Sequence, residues 1–408
     1  MTNAQQPSIQ HLLQTLCPDG VPYATLGEVC NKINSGGTPS RNHAEYFTGD
    51  IPWLRTQEVD WKDVYDTEIK ITEEATKKSS AKIIPANCVI VAMYGATAAK
   101  TCINKVPLTT NQACCNLQIN SDIALYRYVY YWMCNKYADL KALGEGSQNN
   151  INAQKIKRFP IPLPPLPIQE RIVEILDKFS RLSAELEAEL ELRKKQYDFY
   201  RNRLLSFDSN SDTVQWMPLG EVFELRNGYT PSKSNPAFWE EGGTIPWYRM
   251  EDIRQNGRIL SDSMQHITPV AIKGKGLFEA GSFILATTAT IGEHALLIAD
   301  SLANQRFTNF QIRKSLKDSL LTKFVFYYMF VVDDFCKKHT NKSGFESVDM
   351  EALKNMPFPL PPLPVQERIV GILDKFETLV SDLSQGLPAE INLVQKQYEY
   401  YRNQLLTF

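Results

Sequence analysis

The chain has no long hydrophobic run and no excess of charge of one sign. Its most apolar runs, Cys88–Ala99 and Phe324–Val332, are 12 and 9 residues long, whereas a membrane-spanning helix needs about 20. The 44 basic and 46 acidic side chains give a formal charge of −2, which argues against a protein that coats nucleic acid through positive charge alone. No transmembrane segment is therefore expected.

Cysteine is present but lacks the spacing that disulfide frameworks or zinc sites need. The 408 residues contain eight cysteines with no C-x-x-C pair, and Cys114 is adjacent to Cys115. We expect reduced, buried thiols. The segment Met1–Ser8 has no basic residue before an apolar stretch, so it does not predict a secretory signal, and a cytoplasmic location is expected.

Motifs for catalysis are also missing. The chain has no phosphate-binding G-x-x-x-x-G-K-S/T and no G-x-S-x-G nucleophile elbow, and its Pro-Pro pairs stand between leucines rather than in the Asn/Asp-Pro-Pro-aromatic tetrapeptide of adenine methyltransferases. The five histidines show no metal-binding spacing: His11, His43, His266, His294 and His339. We expect no metal, no cofactor and no catalysis in this chain. A thiol hydrolase using Cys114 or Cys115 is the enzymatic alternative, but it lacks a positioned histidine.

Two parts of the chain are near-identical copies. Pro162–Phe179 reads PLPPLPIQERIVEILDKF and Pro359–Phe376 reads PLPPLPVQERIVGILDKF, with 16 of 18 positions identical at an offset of 197. Lys195–Phe207 and Lys396–Phe408 match at 9 of 13 positions at an offset of 201. Because chance does not produce such matches, the chain is a tandem repeat of one unit.

The regions before these copies match only in outline. The recurring pieces are Leu26-Gly27-Glu28-Val29 with Leu219-Gly220-Glu221-Val222, Thr38-Pro39-Ser40 with Thr230-Pro231-Ser232, Ile51-Pro52-Trp53 with Ile245-Pro246-Trp247, Asn111-Gln112 with Asn304-Gln305, and Val129–Met133 with Val325–Met329. Each copy thus consists of an N-terminal part that differs between the copies, here termed its front, and a C-terminal part that is nearly identical, here termed its rear. Divergent fronts suggest that the two copies bind different ligands on the same fold. We expect the recurring Trp53, Trp247, Asn111 and Asn304 to stabilise that shared fold.

The rear of each copy predicts a long helix. The proline run fixes an extended approach, and apolar residues from Ile172 to Leu204 recur at steps of three and four, which is a coiled-coil stripe. Unbroken from Ile168 to Leu205, this helix would be about 57 Å long at 1.5 Å per residue. In the second copy Gly386-Leu387-Pro388 should break it into about Val365–Gln385 and Ala389–Leu406.

The fronts combine strand-like and helix-like runs. Cys88–Met93 and Phe283–Thr287 predict strands, and Ile123–Leu143 and Leu320–Lys338 predict helices. The predicted class is α+β: two tandem mixed α/β domains separated by long helices that pack as an antiparallel coiled coil, with an internal pseudo-twofold repeat. The predicted boundaries are 1–160 and 208–357 for the two domains, 161–207 for the central helix and 358–408 for the C-terminal helical region.

Tandem diverged domains, each followed by PLPPLP-x-QERIV-x-ILDKF and KQY-x-x-YRN-x-LL, resemble the specificity subunit of type I restriction-modification enzymes. The resemblance covers nearly the whole chain. It implies that the fronts are target recognition domains that read the two halves of an asymmetric bipartite DNA target. It also implies partners: two methyltransferase subunits bound to the conserved helices, and restriction subunits. S-adenosylmethionine, ATP and Mg would then belong to those partners.

Candidate base-reading residues are hydrogen-bonding or aromatic side chains near the repeat-matched loops. They are Arg41, Arg55, Tyr94, Thr97, Lys100 and Gln112 in the first domain, and Lys233, Arg249, Thr288, Thr290, Gln305 and Arg306 in the second. Neither domain is strongly basic, with 16 basic and 14 acidic residues in 1–160, and 16 and 18 in 208–357. We therefore expect weak DNA binding by the chain alone.

Candidate partner-binding residues follow from the resemblance and lie on the conserved helices. They are Gln169, Arg171, Tyr197, Tyr200, Gln366, Arg368, Tyr398 and Tyr401. The family's four-residue spacer repeats, which set the distance between half-sites, have a counterpart in the SAEL and EAEL of Ser183–Leu190. The alternative function is a coiled-coil adaptor whose two domains bind proteins rather than DNA, which the near-neutral charge favours.

Overall fold

The computed structural model describes residues 7–145, 150–208, 213–239, 242–274, 276–341, 346–382 and 384–408. Residues 1–6, part of the segment in which no secretory signal is expected, and residue 383, next to the predicted helix break, lie outside these ranges. No helix in the described ranges is both long and apolar enough to cross a membrane.

The helices of the described residues alternate with strands along the chain. They are α1 (Ile9–Leu16), α2 (Glu73–Lys78), α3 (Tyr126–Asn135), α4 (Tyr137–Ala142), α5 (Ala153–Lys157), α6 (Leu166–Leu204), α7 (Leu219–Val222), α8 (Met250–Asn256), α9 (Thr322–Lys338), α10 (Met350–Asn355), α11 (Leu363–Ser381) and α12 (Gly386–Leu405).

The strands are short. In the first copy they are β1 (Tyr23–Thr25), β2 (Cys30–Ser35), β3 (Ile51–Leu54), β4 (Asp63–Val64), β5 (Lys70–Ile71), β6 (Val89–Ala92), β7 (Thr101–Asn104), β8 (Thr109–Thr110), β9 (Cys114–Ile119) and β10 (Pro160–Pro162). In the second copy they are β11 (Gln215–Pro218), β12 (Phe223–Asn227), β13 (Ile245–Tyr248), β14 (Ile259–Leu260), β15 (His266–Ile267), β16 (Phe283–Ala286), β17 (His294–Leu297), β18 (Leu302–Ala303), β19 (Phe307–Ile312), β20 (Thr340–Asn341), β21 (Ser347–Val348) and β22 (Pro357–Leu360).

The chain forms two compact units with the same topology. Unit 1 comprises Met1–Glu187 and Glu390–Phe408, and unit 2 comprises Ala188–Ala389. The five-stranded sheet of unit 1 has the order β2-β9-β6-β7-β4, and that of unit 2 has the matching order β12-β19-β16-β17-β14. Three-stranded sheets, β5-β3-β8 and β15-β13-β18, match in the same way. The repeat in sequence is thus a repeat in fold.

Each large sheet has a helix of aromatic residues packed on it. In unit 1, Tyr128 and Trp132 of α3 belong to the core cluster that contains Val89 and Val91 of β6. In unit 2, α9 packs in the same way on β16 and β19. The strand predictions and the helix-like run Leu320–Lys338 are confirmed, and the helix-like run of the first copy is interrupted at Lys136, between α3 and α4.

The long helix α6 is unbroken, as the periodicity predicts, and contributes to both units. In unit 1, Phe179 stacks on Tyr401 of α12, with ring centroids 5.4 Å apart. Further along α6, Glu187 lines a cavity together with Ile391, ten residues before Tyr401. The two helices of unit 1 therefore run antiparallel. In unit 2, Tyr200 of α6 stacks on Phe376 of α11 at 5.6 Å, and the predicted fold class is confirmed.

The predicted break in the second copy lies between α11, which ends at Ser381, and α12, which begins at Gly386. The predicted start of α12 at Ala389 is wrong by three residues, because Gly386 and Pro388 form its first turn, where a proline needs no amide donor. Gly386 has a φ of 74°. A Cβ there would lie 2.5 Å from the carbonyl oxygen of Thr378, so only glycine fits this connection.

Substitution of Gly386 by alanine should destabilise the chain by about 1 to 3 kcal/mol, because alanine disfavours positive φ and would contact the Thr378 carbonyl. Gly371→Ala is the matched control, since Gly371 lies within α11 and a Cβ there would have no atom within 4 Å. It should stabilise the helix by up to about 1 kcal/mol. Urea denaturation followed by circular dichroism measures the free energy of unfolding of both variants. Equal changes in the two variants would contradict the requirement for glycine at position 386.

Candidate nucleic-acid interface

Three loops of unit 1 meet at one edge and form what we term the first loop cluster, residues 38–41, 93–100 and 111–113. The hydroxyl of Thr38 donates a hydrogen bond to Oε1 of Gln112. The backbone N–H of Met93 donates to the carbonyl oxygen of Ala113 at 2.8 Å. Loops that are up to 74 residues apart in the chain are thereby held side by side.

Unit 2 builds the same arrangement, here termed the second loop cluster, from residues 230–233, 287–291 and 304–306. The hydroxyl of Thr230 donates to Gln305, as Thr38 does to Gln112. The N–H of Thr287 donates to the carbonyl oxygen of Arg306 at 2.9 Å. The two clusters share a backbone arrangement. Their first and third loops also share most residues, Thr-Pro-Ser and Asn-Gln, whereas their middle loops, 93–100 and 287–291, differ.

Recurring tryptophans and asparagines hold the loops, as the sequence predicts. Nε1 of Trp53 donates to the carbonyl oxygen of Gly37 at 3.0 Å, and Nε1 of Trp247 donates to that of Tyr229 at 3.0 Å. Oδ1 of Asn111 accepts from the N–H of Ala113, and Oδ1 of Asn304 accepts from that of Arg306. Their structural role is confirmed.

Two glycines allow the first and third loops of each cluster to touch. A Cβ at Gly36 would lie 2.1 Å from the carbonyl oxygen of Thr110, and one at Gly228 would lie 2.3 Å from that of Ala303. Such distances are far inside van der Waals contact, so any larger residue would push the loops apart. The close approach therefore requires glycine at both positions.

The structure places the first-domain candidates in two groups. Arg41, Tyr94 and Gln112 are exposed in the loop cluster, although Oε1 of Gln112 already accepts a hydrogen bond from Thr38. The other three side chains are engaged within unit 1: Thr97 donates to the carbonyl oxygen of Thr56 at 2.8 Å, Lys100 pairs with Asp60 at 2.5 Å, and Arg55 pairs with Glu58 at 3.3 Å and with Glu68. These three can read DNA only by exchanging those partners.

The second-domain candidates divide similarly. Lys233, Gln305 and Arg306 are exposed, whereas Thr288 and Thr290 are half-buried. Arg249 is half-buried at the start of α8, where its backbone N–H donates to Asp252 at 2.7 Å. The hydrogen bond from Asn304 N–H to Tyr248 carbonyl, 3.0 Å long, brings this strand end beside the second loop cluster.

Few free cations face either cluster. In the first, Arg55 and Lys100 are already paired with carboxylates, which leaves Arg41. In the second, Lys233 and Arg306 are the exposed cations among the candidates. Beside these cations, each surface exposes one glutamine amide, Gln112 or Gln305. Amide and guanidinium groups can pair with base edges, and cations also contact phosphates.

Thiol chemistry finds no support in the structure. Cys114 and Cys115 lie within β9 and are fully buried, and burial raises the pKa of Cys115 to about 12. A thiol with that pKa is protonated near neutral pH and is a poor nucleophile. All eight cysteines are free in the structure; six are buried, and Cys17 and Cys30 are half-buried.

Two candidate partner-binding residues, Gln169 and Gln366, are wrong as contact residues because both are fully buried. Oε1 of Gln169 accepts from the N–H of Leu125 at 2.9 Å, and its Nε2 donates to the carbonyl oxygens of Ile123 and Pro164. Gln366 makes the equivalent three bonds in unit 2. Each glutamine ties the start of a conserved helix to the loop that precedes α3 or α9.

The candidate tyrosines also differ in what they can contact. Tyr197 is buried in unit 2, and Tyr398 is half-buried in unit 1, so both pack mainly within their own unit. Burial corrects the assignment of Tyr197 as a partner contact, whereas that of Tyr398 stays a prediction. Tyr200 and Tyr401 stack on one face and are exposed on the other. Arg368 is exposed and Arg171 is half-buried.

Sequence reasoning missed the most exposed apolar side chains of these helices. Leu192 and Phe199 of α6 are 66 % and 57 % exposed, and Leu393 and Tyr400 of α12 are 56 % and 60 % exposed. Each pair is seven residues apart and therefore lies on one helix face. We term them the exposed helix stripes. They occupy equivalent positions at an offset of 201, a recurrence that could have identified them.

Replacement of Gln169 or Gln366 by leucine should each cost at least about 2 kcal/mol of stability, because buried backbone groups lose their hydrogen-bond partners. Gln404→Leu is the control: Gln404 is exposed on α12, so its substitution should stay within about 0.5 kcal/mol. Chemical denaturation of the three variants measures this. If Gln169→Leu and Gln404→Leu behaved alike, the anchoring role would be refuted.

A family model described as "Type I restriction modification DNA specificity domain" matches residues 18–192 and 211–393. The specificity subunit of the Escherichia coli type I restriction enzyme EcoprrI is 50 % identical over 202 residues, which cover 48 % of this chain and 50 % of that protein. The EcoR124I/EcoR124II specificity subunit of Escherichia coli is 38 % identical over 296 residues, 70 % of this chain and 71 % of that subunit.

Solved structures show the same fold at low sequence identity. A chain from a study of complex assembly and conformational transition of the type I R-M system has a TM-score of 0.65 and 18 % identity, with 95 % of this chain and 98 % of that chain covered. The HsdS subunit of Thermoanaerobacter tengcongensis has a TM-score of 0.53 and 18 % identity, with 95 % and 97 % covered. The duplicated architecture is thus an established fold.

Proposed function

Because the chain belongs to the family of type I restriction modification DNA specificity domains, we propose that it is a non-catalytic subunit that reads an asymmetric bipartite DNA sequence for partner enzymes. The observation that carries this proposal is the pair of loop clusters. Their backbones and scaffold residues match, and Gln112 recurs as Gln305. Other positions differ: Tyr94 stands where the second cluster has Thr288, and Arg306 stands where the first has Ala113. A duplicated frame with two different polar surfaces suits recognition of two different half-sites.

The side chains of the two clusters support base reading rather than phosphate binding alone. The first presents Tyr94, Gln112 and Arg41, and the second presents Gln305, Arg306 and Lys233. Glutamine pairs well with adenine and arginine with guanine in the major groove. The adaptor function, in which the same loops would bind proteins, has no specific contact or surface in its favour.

The partners would be two methyltransferase subunits and, for cleavage, restriction subunits. Equivalent exposed stripes on α6 and α12, with Leu192 and Phe199 in unit 2 and Leu393 and Tyr400 in unit 1, offer two similar apolar surfaces for two copies of one partner. The partners would carry S-adenosylmethionine, ATP and Mg, and would methylate an adenine flipped out of the duplex. The complex would act in the cytoplasm.

The function is tested by expressing the chain with the methyltransferase subunit of its own system in a host without DNA methylation. Single-molecule sequencing then maps N6-methyladenine. A split, asymmetric motif that requires this chain supports the proposal. A stable complex that methylates nothing would favour the adaptor function instead.

Single substitutions in the two clusters should affect one half-site each. Gln112→Ala should relax base choice in one half of the motif, and Gln305→Ala in the other, each by about 1 to 3 kcal/mol. Each variant is the control for the other, because the two glutamines hold equivalent places. The same methylation map measures both. If either substitution altered both halves equally, the separate-reader proposal would fail.

Polar substitution of the exposed stripes should weaken partner assembly. Leu393→Ser with Tyr400→Ser should lower the affinity for one methyltransferase copy by at least about tenfold, as expected for apolar anchors at an interface. Leu192→Ser with Phe199→Ser is the equivalent pair and should affect the other copy. Analytical ultracentrifugation counts the bound subunits. Full assembly by both double variants would show that the stripes are not the contact surface.

A further inference from the structure

A cavity in unit 1 takes no part in the proposed reading of DNA. Its volume is about 550 Å³, within the range of small-molecule sites. Its aromatic walls are Trp61, Tyr130, Tyr137 and Tyr398, and Arg402 is part of its lining. All of these residues belong to unit 1.

The second copy shows what fills the equivalent place. Phe330 of α9 lies under the guanidinium of Arg201, whose central carbon is 4.1 Å from the ring centroid. Arg258 lies over the same ring at 4.8 Å, and the ring of His294 meets it edge-on at 4.7 Å. Unit 2 thus holds an aromatic ring between two cations, a geometry stabilised by cation–π attraction.

The matching positions of unit 1 keep the cations but lack the ring. The aromatic stretches of α3 and α9 match at an offset of 196, which places Cys134 where unit 2 has Phe330. Arg402 matches Arg201 at the offset of 201. Lys62 directly precedes β4 as Arg258 directly precedes β14. A thiol is much smaller than a phenyl group, and Cys134 lines the cavity of unit 1.

The guanidinium at this site is less engaged than its counterpart. Arg201 pairs with Asp198 at 3.0 Å, whereas Arg402 has no ion pair with any of the described residues. In the described part of the chain, Nε of Arg402 and Nε of Arg201 are both buried without a hydrogen-bond partner, so the polar contacts of the two guanidinium groups differ in this ion pair alone. Arg402 lies over the ring of Tyr398 at 5.3 Å, as Arg201 lies over that of Tyr197 at 5.2 Å, and Arg402 also lines the cavity.

From this comparison we infer that the cavity of unit 1 binds a small, neutral heteroaromatic ligand of bicyclic size, whose ring stacks on Arg402 in the place that Phe330 occupies in unit 2. The lining carboxylates Glu187 and Glu399, with the amide of Gln395, accept hydrogen bonds from ring N–H or amino groups. With Asp60, the three lining carboxylates outnumber the two lining cations, Lys62 and Arg402, which disfavours a negatively charged ligand.

The test uses 5-fluoroindole as the probe and the full chain as the receptor, with binding followed by fluorine NMR. We expect saturable binding with a Kd below about 1 mM, the strength that a fragment of this size can reach. Naphthalene-2-carboxylate, a negatively charged ring of similar size, should bind more weakly. Stronger binding of the carboxylate would overturn the assigned ligand class.

Substitutions then locate the site. Cys134→Phe copies the residue of unit 2 and should weaken binding by at least about tenfold by filling the cavity. Arg402→Gln removes the stacking cation and should weaken it about threefold to tenfold. Arg201→Gln is the matched control in unit 2 and should leave the affinity unchanged. Circular dichroism confirms that each variant is folded.

Two results would overturn the inference. One is equal probe binding by the wild-type chain and by folded Arg402→Gln and Cys134→Phe variants. The other is no binding of the probe while Cys134→Phe weakens assembly with the methyltransferase subunit, which would show that the cavity takes a partner side chain.

Discussion

The structure depends on one buried hydrogen-bonding group that occurs twice, the glutamine at the start of each conserved helix. Gln169 and Gln366 each make three hydrogen bonds to backbone groups, with donor–acceptor distances of 2.8 to 3.2 Å. Each fastens a conserved helix to the loop before the helix of its recognition domain. A buried amide with all these bonds satisfied is directional, so it fixes the start of the helix relative to the loop that precedes α3 or α9.

That constraint explains how one frame can carry two different surfaces. The anchoring bonds, the tryptophan contacts and the glycine approaches recur in both units, and they fix the backbone of each loop cluster. Exposed positions outside those contacts, such as Tyr94 and Arg306, can then differ between the two clusters. The fronts can differ because they carry the exposed loop residues, and the rears are nearly identical because they carry the helices on which both units are built.

The sequence predicted the repeat, the long helix and its break well, because proline runs, identical blocks and apolar periodicity are local signals. It did not predict the burial of Gln169, since a glutamine beside glutamate and arginine reads as an exposed residue. The sequence also did not predict that Tyr197 is buried while Phe199, two residues later, is exposed. Both lie in one aromatic-rich helical stretch, and which face meets a neighbour depends on tertiary packing.

The loop contacts escaped sequence reasoning for a different reason. The bond between Thr38 and Gln112 joins residues 74 positions apart, and the pairing of Lys100 with Asp60 joins residues 40 apart. Only the sheet order brings them together. The ion pairs and hydrogen bonds of Arg55, Thr97 and Lys100 could therefore not be inferred from their residue types alone. The exposure of Arg41, Gln112 and Arg306 agrees with their positions in polar loops.

The most direct test of the central claim, that each repeat reads its own half-site, is to replace the second recognition domain by a copy of the first. A chain in which residues 219–355 are exchanged for residues 26–158 would carry two identical loop clusters on the original helices. The account predicts that N6-methyladenine mapping of the assembled complex shows a split motif made of two copies of one half-site. A motif that keeps its original second half, in a folded and assembled complex, would contradict it.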